Sequence, residues 1–475
     1  MQKVKNSRSR AATNQGLRAS QKLSRTTFIT SRTMDFFNEK ELVTQTGHPR
    51  HEWPLVFVKE MVDNALDACD EADVPPVIAI TCDARGIAVA DNGPGLPEST
   101  LARAMDFSVR ASNREAYVAP DRGAQGNALK TIIPMPAVID PVGGRLVIEA
   151  HGKRHSIRCR ADQISQQPVV DDNAASVATA GTSIRMEWNA MQEGDAAAWP
   201  FPYWRFRESD GPDRIKSLVA GFALFNPHAT IRLDWFGERI EYSATAPGWP
   251  KWRPCQPTSP HWYTLPQIER LIGAYITHDR AGGKDRLVSE FVSEFDGLTG
   301  SAKRATVLDA CGLKRVHLSE LAVGGNFDHA RTADLLAAMQ ANTKPVKSRR
   351  LGIIGEEHFR VRLLAMGCTA ESITYRRQLA KAGTPYVIET AFAMQSRGGA
   401  RRLFFAGANW SAGINNPFRA FGATGEGLEA VLANARASAS EPIALAVHLA
   451  MPGVRFTDRG KTAIVIDRDD AEDDE

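Results

Sequence analysis

Residues 53–73, WPLVFVKEMVDNALDACDEAD, decide how the rest of the chain is read. Val56, Val58, Met61, Val62, Ala65, Leu66 and Cys69 recur at roughly helical spacing, which predicts an amphipathic helix. Along its other side run Glu60, Asn64 and Asp67, with Asp63 between them. Glu60 and Asn64 are four residues apart, so they share one face, one turn above the other. A carboxylate and a carboxamide stacked in this way suit the reacting end of a nucleotide. One activates a water and the other completes the shell of a magnesium ion. Taken alone, the same residues also read as the solvated polar stripe of an amphipathic helix.

The totals place this helix in an ordinary globular setting. A chain of 475 residues suggests about three domains, and its 43% hydrophobic and 24% charged content is unexceptional. A net charge of +3 does not by itself announce nucleic acid, but the charge is unevenly spread. Lys3, Lys5, Arg8, Arg10, Arg18, Lys22, Arg25 and Arg32 all precede the first acidic residue, Asp35, while residues 467–475, DRDDAEDDE, are almost wholly acidic. Both ends read as solvated tails; as functional elements they would be a basic arm on phosphates and an acidic tail that discourages stray DNA contact. The six cysteines form no CxxC pair, and His155 and Cys159 lack a second pair of metal ligands. Reduced thiols in a cytoplasmic protein are expected. The basic start leads into no apolar stretch, and no apolar run approaches ~20 residues, so neither a signal peptide nor a membrane span is expected.

Residues 1–25 read as a disordered basic tail and 26–48 as a connection into the central helix. Two strands follow, Val77–Cys82 and Gly86–Ala90, and the second stops at Asp91-Asn92-Gly93-Pro94-Gly95-Leu96-Pro97, a loop of fixed backbone. A second glycine loop, Arg122-Gly123-Ala124-Gln125-Gly126-Asn127-Ala128-Leu129-Lys130, opens a short helix. Unhindered N–H groups beside a lysine form a natural phosphate cradle there. Strands alternate from Arg145 to Trp188, the last beginning at Gly181-Thr182-Ser183, and a helix–sheet sandwich is the natural architecture. The Pro- and Trp-rich segment 235–266 reads as an edge hairpin and then a linker, with a boundary near 260. Residues 266–340 are helical in pattern, and Lys303 and Arg304 stand at one helix start, where they meet either DNA phosphate or solvent. From 350 to 466, strands are expected at Val361–Ala365, Tyr386–Met394, Arg402–Ala406, Ile443–Leu449 and Ala463–Ile466, with a helix at Gly425–Ala437, as in a crossover unit.

The order of these signals is more specific than any one of them. ExxxN on a helix, D-N-G-P-G after a strand, R-G-x-x-G opening a helix and G-T before a later strand together resemble the GHKL ATPase fold of gyrase, mismatch-repair ATPases, heat-shock chaperones and histidine kinases. The resemblance implies ATP and Mg2+ as ligands. It makes Glu60 the general base, Asn64 the magnesium ligand and Asp91 the acceptor for the adenine amino group. Gly93 and Gly95 would allow close approach of the nucleotide, and Gly123, Ala124, Gln125, Gly126, Asn127, Ala128, Leu129 and Lys130 would wrap the phosphates. Thr182 would support the adenine side.

Within that superfamily the chain resembles the B subunit of DNA topoisomerase VI over almost its whole length. R-G-A-Q-G is similar to that family's R-G-Q-Q-G, and Ser112-Asn113 falls where the family has a nucleotide-contacting Ser-Lys. VSEFVSEFDGLTGSAKRATVLDACGL and GIIGEEHF are similar to its helix-two-turn-helix insert and the start of its transducer. Ala408-Asn409, Val447-His448-Leu449 and Gly460-Lys461 match later motifs, which makes Lys461 the transducer's switch lysine. The implied architecture is α+β: a disordered tail 1–25, a GHKL (Bergerat) ATPase sandwich 26–260, a helical insert 261–345, an α/β transducer 346–466 and an acidic tail 467–475. Three departures stand out. Ala128 replaces the loop's third glycine, Asn113 stands where a lysine is expected, and nine residues after Ile466 hold no counterpart of the family's helical stalk. The implied function is an ATPase subunit that forms a homodimer on ATP binding and gates DNA strand passage with a separate A-like cleaving subunit. The alternative is an ATP-switched DNA clamp or signalling module without strand passage.

Overall fold

The computed structural model describes residues 32–107, 116–122, 128–162, 164–165, 167–189, 210–380, 383–396, 401–419, 426–457 and 463–465. Both predicted tails lie outside these residues. The fold is mixed α+β, with two main sheets and a run of helices between them in sequence. No helix among the described residues is long and apolar enough to cross a membrane.

The helix predicted over 53–73 is α2, Trp53–Glu71, which follows α1, Glu39–Thr46. Pro54 sits in its first turn, where no intrahelical N–H partner is needed. Val56, Val58, Met61, Val62, Ala65, Leu66 and Cys69 are all buried, as their spacing required. They pack on an eight-stranded sheet, order β5-β4-β3-β6-β2-β1-β7-β8. Its strands are β1 (Val77–Asp83), β2 (Gly86–Asp91), β3 (Arg145–Ala150), β4 (Lys153–Asp162), β5 (Gln167–Ser176), β6 (Thr182–Glu187), β7 (Thr230–Trp235) and β8 (Glu238–Tyr242). All neighbours are antiparallel except β1 and β7. Short helices α3 (Glu98–Met105), α4 (Ala128–Ile132) and α5 (Met135–Ile139) and the long helix Asp210–Phe225 complete this part.

Helices Leu265–Ala281, Val288–Val292, Ser301–Ala310 and His329–Ala341 follow, with a small hairpin of β9 (Ala322–Val323) and β10 (Asn326–Phe327). The second main sheet has the order β11-β12-β15-β13-β14, from β11 (Thr374–Leu379), β12 (Val387–Met394), β13 (Leu403–Ala408), β14 (Ser411–Ala412) and β15 (Ile443–Ala450). β13 and β15 are parallel, with helix Leu428–Asn434 in their connection, which is the anticipated crossover. Two strand expectations fail. Of Ala463–Ile466, the described residues 463–465 hold only an isolated antiparallel bridge, Ile464 to Phe456, in place of a strand. Val361–Ala365 is not a strand but the end of a helix, Glu356–Ala365. Its buried residues, His358, Phe359, Arg362 and Leu363, recur at helical spacing, and two glutamates occupy its first turn. The segment read as a linker is also packed: Trp249, Trp252 and Trp262 are buried, and the Trp249 indole donates to the Ile353 carbonyl at 2.5 Å.

The two sheets are tied together through a second polar stripe on α2. Asp63, Asp67 and Asp70 are all buried. The Arg122 guanidinium donates to Asp67 Oδ1 and Asp70 Oδ2, both at 2.7 Å, and to Asn226 Oδ1 at 2.7 Å. Lys251 Nζ lies 2.7 Å from Asp70 Oδ2, and His228 Nε2 lies 2.9 Å from Asp70 Oδ1. From the second sheet, the Trp410 ring receives Lys251 Nζ at 4.3 Å from its centroid. Its backbone N–H donates to His448 Nε2 at 2.9 Å, and its carbonyl accepts from Asn226 Nδ2 at 2.8 Å. Burial alone would raise the Asp70 carboxyl, but Arg122 and Lys251 beside it hold it far below the usual carboxylate range. Lys251 is itself pushed down to about 8, by burial first and by Arg122 second.

Removing one partner from such a cluster strands a charge out of water. Arg122→Met should therefore cost about 3–5 kcal/mol of unfolding free energy, read by urea denaturation at neutral pH. A loss under about 1 kcal/mol would mean the cluster relaxes or admits water. His448 gives a second expectation, because burial, with Arg122 adding to it, pushes its imidazole down to about 3. Above its unfolded pKa near 6.5 both states are neutral and the residue has no effect. Below that, the unfolded chain takes up a proton that the folded state refuses, so stability falls as pH drops from about 6.5 toward 3. His448→Gln should flatten the stability–pH slope near pH 5 by about 1.4 kcal/mol per pH unit, and an unchanged slope would refute the assignment.

Candidate nucleotide site

The stripe of α2 adjacent to the buried carboxylates carries Glu60 and Asn64, one helical turn apart. Asn64 is exposed, and the Glu60 side chain keeps 23% of its surface accessible. Both therefore face an opening while their neighbours Asp63 and Asp67 face protein. The Lys59 ammonium stands 4.0 Å from Glu60 Oε1 and is held at 2.7 Å by Asp63.

The second wall is the end of β2. Asp91 Oδ1 accepts the Gly93 N–H at 2.8 Å and the Thr182 N–H at 3.2 Å. Thr182 is delivered there by Gly181, whose φ is +74°; a Cβ at that position would lie 1.9 Å from the Asp91 carbonyl oxygen. The Asp91–Pro97 loop runs against the later turns of α2, since a Cβ on Gly93 would come within 3.3 Å of Cys69 Sγ and 3.0 Å of Asp91 Oδ1. Asn92 pins its base, accepting from the Val77 N–H at 2.8 Å and donating to the Pro75 carbonyl at 3.0 Å. Gly95 follows at φ +92° beside His151. Burial raises the Asp91 carboxyl above its ordinary value, opposed by the Gly93 and Thr182 amides. Among the described residues both amides bond to Oδ1, and Oδ2 accepts neither of them.

The structure thus brings Asp91, Gly93, Gly95 and Thr182 to one corner of the sheet, and Gly93 packs that corner against α2, the helix that carries Glu60 and Asn64. Ser112, Asn113, Gly123, Ala124, Gln125, Gly126, Asn127 and Lys461 lie outside the described residues. Ala128, Leu129 and Lys130 open α4. The buried Lys130 ammonium donates to the Asp106 carbonyl at the end of α3, and burial lowers its pKa. Just before the glycine loop, residues 116–122 are held from several sides. The Val118 N–H donates to the Tyr263 hydroxyl at 3.1 Å, the Ala119 carbonyl accepts from Gly453 at 3.1 Å, and the Asp121 carbonyl accepts from Asn409 Nδ2 at 3.2 Å.

Sequence reasoning missed Lys59, Lys251, Asn226 and Ser411, and it gave Arg122 no role beyond opening a loop. Lys59 and Asp63 were legible as an i,i+4 ion pair. Arg122, Lys251 and Ser411 meet α2 from 52 to 352 positions away, and Asn226 joins through Arg122, so none leaves a local signature. His155, weighed as a metal ligand, instead pairs with Asp172 at 2.7 Å.

No protein-family model matches the chain. It is similar to the B subunit of type 2 DNA topoisomerase 6 from Methanosarcina mazei, 33% identical over 188 residues, which is 38% of this chain and 28% of that protein. The same protein of Archaeoglobus fulgidus is 32% identical over 103 residues (21% of this chain, 17% of the relative). That of Natronomonas pharaonis is 23% identical over 240 residues, 48% of this chain and 27% of the relative. The chain spans less than a third of the length of these curated relatives. Among solved structures, the N-terminal domain of a DNA repair protein aligns with 87% of this chain and 89% of its own, at 12% identity and a TM-score of 0.35. Over part of its length, and at low identity, the chain is similar to the B subunits of type 2 DNA topoisomerase 6.

Proposed function

We propose that the chain is an ATP-binding and ATP-hydrolysing subunit like the B subunit of topoisomerase VI, resting on a GHKL sandwich, that dimerises on ATP and gates DNA passage with a separate cleaving subunit. The observation that carries the reading is the Asp91 corner: a half-buried carboxylate fixed through one oxygen by two backbone amides, with its other oxygen left for a base. Such a group can select an amino-bearing purine, because an acceptor fixed in place rejects a base that presents an oxygen there. The similarity to the topoisomerase 6 B subunits supports the same assignment.

The donor set fits an adenine nucleotide with magnesium. A hard cation accepts a carboxamide oxygen, and exposed Asn64 supplies one beside Glu60. Bound magnesium would supply charge neutralisation on the phosphates. Glu60 is the base: its carboxylate accepts a hydrogen bond from the attacking water, orients it and takes its proton. The Lys59 ammonium stands 4.0 Å from that carboxylate. Gly123 to Lys130 would line the phosphates, and Lys461, brought from the second sheet's end of the chain, would report the γ-phosphate to that sheet. Two nucleotide-loaded copies would then close on a DNA segment, with an A-like subunit doing the cutting.

Glu60→Ala should bind a non-hydrolysable ATP analogue normally while phosphate release disappears; normal turnover would remove Glu60 from its role. Asp91→Ala should weaken ATP binding by about tenfold or more, the cost of one lost buried charged hydrogen bond, as measured by titration calorimetry. Stimulation of the ATPase by DNA, and supercoil relaxation once an A-like subunit is added, are expected. An ATPase indifferent to DNA would favour a signalling module instead.

A further inference from the structure

We propose that Ser411 is a positioning residue for ATP turnover: from the tip of the β13–β14 hairpin it fixes the Lys59 ammonium beside Glu60. This rests on the reading of Glu60 as the base. Ser411 Oγ donates to Asp63 Oδ2 at 2.7 Å and accepts from Lys59 Nζ at 2.8 Å, and Lys59 Nζ donates to the same Asp63 oxygen at 2.7 Å. The three groups close a triangle, and all three residues are buried. A flexible lysine is thereby reduced to one position, 4.0 Å from Glu60 Oε1. At that distance its charge acts on the carboxylate without pulling it into direct contact.

The hairpin tip is built for this placement. Its two central residues, Asn409 and Trp410, have φ of +49° and +64°, the left-handed pair that a tight hairpin turn of the I′ kind requires. Glycine is the usual second residue of such a turn, and a bulky side chain there is strained. The strain is held by surrounding bonds. Asn409 accepts from the Met451 N–H at 2.9 Å and donates to the Asp121 carbonyl at 3.2 Å, while Trp410 is bonded through both backbone groups to His448 and Asn226. Gly407 lets the two strands close, because a Cβ there would lie 2.4 Å from the Ser411 carbonyl oxygen. The turn delivers Ser411, 348 positions away in sequence, onto Asp63.

Without the hydroxyl, Lys59 keeps Asp63 but loses one of the contacts that set its direction. Its ammonium can then close the remaining gap to Glu60 and draw that carboxylate off the water. The test uses the full chain with ATP and magnesium for turnover and AMP-PNP for binding, with Glu60→Ala assayed in parallel. S411A should lower kcat by about tenfold or more with the AMP-PNP Kd within about twofold of wild type. S411T, which restores the hydroxyl, should recover kcat to within about threefold. If S411A fails to fold, S411C keeps the volume, weakens both hydrogen bonds and is judged by the same split. A kcat for S411A within about twofold of wild type would overturn the inference, as would parallel losses of kcat, AMP-PNP binding and melting temperature, the signature of a merely structural serine. If wild type hydrolyses ATP, Glu60→Ala does not, and S411A matches wild type, only this inference falls. If wild type shows no hydrolysis, the functional reading falls first.

Discussion

The structure depends on the burial of three carboxylates along one side of α2. Asp63, Asp67 and Asp70 lie at i, i+4 and i+7, so they form a continuous stripe that cannot be dry unless cations cover it. No single neighbouring element supplies them. Lys59 comes from the helix itself, Arg122 from the segment before the glycine loop and Lys251 from the Trp-rich segment; neutral Asn226 bonds Arg122 and neutral Ser411 bonds Asp63. Neutralising one helix therefore sets the positions of four distant stretches of chain. The second sheet is brought against α2 largely by this demand.

The same helix separates two kinds of polar residue by a small rotation. Asp63 and Asp67 turn toward protein, and Glu60 and Asn64 toward an opening. The acids on the closed side meet the Lys59 ammonium and the Arg122 guanidinium at 2.7 Å, whereas the Glu60 side chain keeps 23% of its surface accessible, with Lys59 at 4.0 Å. The proposed base thus keeps the access to water that such a role requires. The helix is a structural anchor and, in the proposed reading, a wall of the nucleotide site, and the two roles differ only in which side of the stripe a residue occupies.

Much of this was legible in the sequence where the signal is local. The extent of α2, the strand pair β1–β2, the loop at Asp91–Pro97 and the turn at Gly181-Thr182 follow from periodicity and from glycines that the backbone geometry requires. What sequence could not supply were partners. A polar stripe reads as solvated, and only the fold reveals that Asp63 and Asp67 are covered by residues contributed from elsewhere. The helix Glu356–Ala365 was misread for a related reason. VRLLA looks like a short apolar strand until Glu356 and Glu357 are counted as its first turn and His358 and Arg362 as buried residues satisfied by carbonyls of other segments. Trp249, Trp252 and Trp262 likewise suggest an irregular linker in isolation, whereas all three are buried, Trp252 edge-on to Trp262 and Trp249 edge-on to Trp410 of the second sheet's hairpin.

A purely apolar joint would hold two sheets together at least as strongly, because burying ion pairs gains little net stability over packed hydrocarbon. What the charged joint adds is register. Apolar side chains tolerate sliding by an ångström or repacking, while a guanidinium bound to two carboxylates and an amide at 2.7 Å tolerates neither. Arg122 adjoins the loop expected at the phosphates, and Trp410 lies between Asn409, which holds that segment, and Ser411, which holds Lys59. A shift of the second sheet would therefore be felt at both the glycine loop and the helix that carries Glu60. Hydrophobic packing alone would let such a shift be absorbed along the way, so the costly arrangement is the one suited to a joint through which the proposed nucleotide site and a distant sheet would stay in step.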